Sequence, residues 1–77
     1  MSAGQALDRA LATAAGLKPG TWEAVESLAL LAIEASGRPE ASGLLDTART
    51  TAGRLKPGTW EAVRALTWLA RAERELG

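Results

Sequence analysis

Apolar residues recur at three- and four-residue steps in four stretches of this chain, and glycine or proline interrupts the pattern between them. Ala3, Leu7, Ala10, Leu11 and Ala14 share one side of a helix expected from about Ala3 to Ala15, because residues three and four apart lie on one face at 3.6 residues per turn. Gly16, followed by apolar Leu17, fits a C-terminal cap with the glycine in the left-handed conformation. After Lys18-Pro19-Gly20, Thr21 is placed to cap a second helix running to about Ala35, with Glu23 in its positive first turn. Gly37 stops that helix, and Pro39 suits the first turn of a third. The third carries Ala41, Leu44, Leu45, Ala48 and Ala52 on one stripe and is expected to break at Gly53, before a fourth helix from Thr59 or Trp60 to near Leu76.

The second half repeats the first. LKPGTWEAV stands at Leu17 to Val25 and again at Leu55 to Val63, and pairing each residue with the one 38 positions later gives 18 identities in 39 comparisons. The chain therefore reads as one all-α domain over residues 1–77, a four-helix fold of two helical hairpins related by pseudo-twofold symmetry, with repeat one at 1–38 and repeat two at 39–77. A domain-swapped dimer, exchanging hairpins through the Ser36 to Glu40 link, satisfies the same pattern.

Composition supports helix and narrows the chemistry. The seventeen alanines, with abundant Leu, Glu and Arg and few β-branched or aromatic residues, favour helix over strand. A chain of 77 residues buries a small core. It has neither Cys nor His, so a disulfide or a zinc site cannot reinforce it, and a partner subunit is the reinforcement that remains. Residues 1–38 carry three basic and four acidic side chains and residues 39–77 six and five, so neither half presents a strong field to a polyanion. The longest apolar run, Leu28 to Ile33, is far short of a membrane span, and no basic segment precedes an apolar run at the N-terminus. A cytoplasmic protein is expected.

Candidate sites follow from the helical wheel. With Trp22 at zero and about 100° per residue, Val25, Leu28, Leu31, Ala32 and Ala35 form the expected core stripe of the second helix, and Val63, Leu66, Leu69 and Ala70 that of the fourth. Leu30 and Ile33 then fall on the polar side. So does Trp68, the period mate of Leu30, among Arg64, Arg71 and glutamates. An outward aromatic ringed by charge resembles a protein interface, so Leu30, Ile33, Arg64, Trp68 and Arg71 are the candidate interface residues. Trp22 and Trp60, just after the caps, are expected to cover the hairpin turns as structural residues.

Lys18 with Thr21, and Lys56 with Thr59, each set an ammonium beside free N–H groups at a helix start and are candidate anion sites. Glu23 and Glu61 compete for the same positive ends. Asp8 and Asp46 recur at matching places but lie near arginines and read as a solvated ion-pair face. Without His, Cys or Tyr the usual acid–base and nucleophilic groups are missing, so no enzyme activity and no cofactor are expected.

The favoured function is a non-catalytic helical interaction module that self-associates through helices two and four, as a homodimer or with another protein partner. The alternative is a small DNA-associated or antitoxin-like regulator using the KPGT turns with Arg49, Arg54, Arg64, Arg71 and Arg74. Neutral net charge disfavours nucleic acid. A third reading, a carrier of an apolar ligand between hairpins, needs more room than an alanine-rich core is expected to leave.

Overall fold

A computed structural model describes residues 1–77 as four α-helices and no strand: α1 (Ala3–Ala15), α2 (Trp22–Glu34), α3 (Glu40–Arg54) and α4 (Trp60–Leu76). None is long and apolar enough to cross a membrane. The caps explain most of the boundaries. Thr21 Oγ1 accepts from Ala24 N at 3.1 Å and Thr59 Oγ1 from Ala62 N at 3.2 Å, each satisfying a free donor of the first turn. At α1, Ser2 Oγ accepts from Gln5 N while Gln5 Oε1 accepts from Ser2 N, a reciprocal capping box.

Two glycines behave differently from expectation. Gly16 ends α1 with φ −93°, ψ 0°, so the left-handed cap expected there is not used; backbone bonds from Gly16 and Leu17 N–H to Thr13 and Ala14 close the helix. Gly53 does not stop α3, which continues to Arg54 before Leu55 turns extended. Gly37, at φ +91°, does take the left-handed form. It lets the chain reverse between α2 and α3 within five residues, Ala35 to Pro39.

The main packing runs between the repeats rather than within the expected hairpins. α2 is the central helix, with α3 and α4 both seated on it; α3 and α4 meet along a shorter seam, and α1 touches α2 alone. The core is built from small side chains. Eight of its twelve buried residues are alanines, joined by Val25, Leu45, Leu69 and Thr51. Small side chains on facing surfaces let helix axes approach closely, so the alanine faces of α2, α3 and α4 fit together without larger residues. Thr51 is accommodated because its hydroxyl donates to Thr47 O at 2.8 Å.

This packing overturns part of the expected core. Val25 and Ala32 are buried on α2 and Ala35 at its C-terminal cap, but Ala29 joins them while Leu28 and Leu31 are only half-buried. On α4 the buried residues are Ala62, Ala65, Leu69 and Ala72. Of the four expected there, Leu69 alone is inside; Val63, Leu66 and Ala70 face outward. The helix is turned by roughly a quarter revolution from the expected setting, because its alanines, not its bulkiest residues, meet α2.

Candidate functional site

The rotation of α4 redistributes the five expected interface residues. Trp68 is half-buried: it packs against the core with one side and lines the edge of the outward face of α4 with the other, instead of standing at that face's centre. Ile33 is likewise half-buried against the core. Leu30, the period mate of Trp68, lines a groove beside α1. Arg64 Nε donates to Glu26 Oε2 at 2.8 Å, joining α4 to α2. Arg71 stacks over the Trp68 ring at 5.6 Å and donates to Glu75 Oε1 at 3.2 Å. The structure thus groups Arg71 with Trp68 and separates both from Leu30.

The two turn tryptophans also part company. Trp22 is half-buried, and its indole Nε1 donates to Lys56 O at 3.0 Å, so this ring covers the turn of the other repeat. Trp60 covers nothing. It is 85% exposed, at odds with the structural role expected of it, and α1 and α4 do not touch.

What α4 does present is a continuous outer face. Val63 is 52% and Leu66 40% exposed, and Thr67 and Ala70 are exposed beside them, one turn apart along the helix that Trp60 opens. A shallow depression of about 640 Å³ lies over this face, edged by Arg71 and Arg74. Sequence reasoning placed Trp68 and Arg71 of this lining at an interface but assigned Val63, Leu66 and Ala70 to the core, yet the repeats carry the signal for the outward setting. Between α2 and α4, polar residues become small where α4 faces inward (Ser27 to Ala65, Glu34 to Ala72), and small residues become polar where it faces outward (Ala29 to Thr67, Ala35 to Glu73).

A second feature lies across the molecule. α1 contains no buried residue. It is tied to the α2–α3 link by an ion pair between Arg38 and Asp8, and it leaves an open groove of about 1490 Å³ between itself, α2 and the start of α3. Leu7, Ala10, Leu11, Leu28, Leu31 and Leu44 line its walls. Asp8, Glu23, Glu34 and Glu40 set four carboxylates around it against the single Lys18. The room judged lacking for an apolar occupant is therefore present, outside the core and not within it.

The remaining candidate chemistry is weak. Thr21 and Thr59 hydroxyls already accept the first-turn N–H groups of Ala24 and Ala62, so the Lys18 and Lys56 turns offer fewer free donors to an anion. Of the five arginines in the DNA-associated reading, Arg49, Arg64 and Arg71 are engaged by Glu73, Glu26 and Glu75. Asp8 and Asp46 each sit in an exposed ion pair, with Arg38 and Arg49. No group of three or more acidic side chains is placed to hold a metal ion, and no buried side-chain polar atom lacks a partner. Compared with known proteins, the chain matches no family model, no curated protein and no solved structure.

Proposed function

We propose that this protein is a non-catalytic helical interaction module that self-associates through α2 and α4, with the outer face of α4 as its anchor. The exposed stripe of Trp60, Val63 and Leu66 carries the reading. Large apolar side chains contiguous on one helix, edged by Arg71 and Arg74, form the apolar centre and charged rim of a protein interface. A Trp at one end supplies a rigid aromatic of the kind that anchors such contacts. The small alanine core adds a reason for association, since a 77-residue domain gains much of its missing burial from a partner. The absence of cysteine is compatible with a cytoplasmic setting.

Sedimentation of the wild type beside Leu66→Glu tests this. The wild type should exceed the 8.0 kDa monomer mass at high micromolar concentration and the variant should remain at it. Equal masses for both proteins would refute association through this face.

A further inference from the structure

The chain carries a second, unmade copy of its own central packing. Within the chain α2 fills the cleft between α3 and α4, with Val25, Ala29 and Ala32 buried along the seam. The walls of that cleft are Ala41, Leu45 and Ala48 on α3 and Ala62, Ala65 and Leu69 on α4. Subtracting 38 gives Ala3, Leu7 and Ala10 on α1 and Ala24, Ser27 and Leu31 on α2. All six line the open groove between α1 and α2. Adding 38 to the seam residues of α2 gives Val63, Thr67 and Ala70, all exposed on the outer face of α4. The groove matches a cleft that a helix fills, and α4 presents the matching face of that helix.

We infer that α4 of one copy docks in the α1–α2 groove of the next copy, head to tail; this rests on the self-association proposed above and gives it a partner site and a polarity. Two further observations fit the same docking. Trp22 donates its indole N–H to the Lys56 carbonyl within the chain. The mates of that pair are Trp60, bare on α4, and Lys18, which lines the groove, so Trp60 of one copy meets the Lys18 turn of the next. Charge is complementary as well. With Asp8 held by Arg38 and Arg71 by Glu75, the groove still offers Glu23, Glu34 and Glu40 against one lysine, and Arg74 edges the α4 face.

Because the two contacting surfaces differ, each docked copy leaves one groove and one α4 face free. The product is a ring or an open series. Ser27, Glu34 and Thr67 are polar where the internal seam has Ala65, Ala72 and Ala29, which makes the contact between copies weaker than the one inside the chain and the assembly reversible.

Two exposed alanines test the inference, Ala10 in the groove wall and Ala70 on α4, mates of Ala48 and Ala32, which are both 0% exposed. Neither is needed inside the monomer, so Ala10→Glu and Ala70→Glu should keep the wild-type helical circular dichroism. Sedimentation of each alone should give a monomer of 8.0 kDa; their equimolar mixture should give a 1:1 dimer of twice that mass and nothing larger. In the mixture the intact α4 of Ala10→Glu meets the intact groove of Ala70→Glu. If Ala70→Glu abolishes association but Ala10→Glu associates like the wild type, the copies pair α4 to α4 and the head-to-tail inference is wrong while self-association stands. Variants that are monomeric separately and stay so when mixed also overturn it. A wild type that remains monomeric overturns both readings, and uptake of a fluorescent apolar dye by that monomer would assign the groove to a small apolar ligand.

Discussion

α2 and α4 open with the same residues, Thr-Trp-Glu-Ala-Val, and bury them differently. Val25 is 0% exposed and Val63 52%; Trp22 is half-buried over a turn and Trp60 bare; Ala24 is half-buried and Ala62 inside the core. Both helices are capped alike by threonine, at 3.1 and 3.2 Å. Local sequence therefore sets where each helix begins, and the neighbours it meets set which face it buries. α2 has α3 and α4 on it, whereas α4 has α2 and a short seam with α3. One side of α4 is left over, and the proposed function resides there.

The largest contrast is expected when a charge is put at the matched valines. Val25→Asp buries a carboxylate with no partner and should lower stability by more than about 3 kcal/mol in urea denaturation. Val63→Asp should change monomer stability by less than about 0.5 kcal/mol. Similar losses at both positions would show that α4 buries the same face as α2. A smaller contrast is expected between α3 and α1. Leu45→Ala, at a site 4% exposed, should cost roughly 2 to 4 kcal/mol, and Leu7→Ala, on a helix without buried residues, less than about 1 kcal/mol. Thermal melts of the two variants compare them directly.

Finer contrasts follow. Trp22→Phe removes the donor to the Lys56 carbonyl and should lower stability by roughly 1 kcal/mol, while Trp60→Phe at low concentration should leave the melt within about 0.3 kcal/mol of the wild type. A small effect is also expected at the Arg64–Glu26 pair, whose arginine is largely exposed and whose glutamate side chain is 20% exposed. Arg64→Ala should cost about 0.5 kcal/mol, less in high salt. A loss several times larger would mean that this ion pair fixes the rotation of α4.

Helix positions were legible because their signals are local. Thr21, Gly37, Thr59 and the alanine-rich stripes mark all four helices, and all four starts fall within a residue of their expected places. Gly16 and Gly53 show where local rules give way: one ends a helix without the left-handed form, and the other lies inside one. Helix rotation was harder to read. A wheel points the bulkiest apolar residues inward, but α2 and α4 meet through alanines, so Val63 and Leu66 were displaced outward and Trp68 drawn in.

The same rotation puts Trp68 at the half-buried edge of the outer face where its centre was expected, and leaves Trp60, expected on the scaffold, exposed. The correcting signal lay in the paired substitutions Ser27 to Ala65 and Ala29 to Thr67. They exchange polar and small positions between repeats that a wheel treats as equivalent. The groove could not be foreseen from periodicity at all, because it depends on α1 lying apart from α3 and α4, which no spacing within α1 encodes.

The most direct test of the α4 surface uses the three tryptophans as internal controls. In protein labelled with 5-fluorotryptophan and assigned through single Trp→Phe variants, ¹⁹F resonances are followed as concentration rises. The Trp60 resonance should move away from its solvent-exposed position as copies associate and Trp68, which lines the depression on the same face, should follow by a smaller amount, while Trp22, packed on the Lys56 turn within the chain, shifts much less. A Trp60 resonance that stays at its exposed position up to the highest concentration would contradict the account.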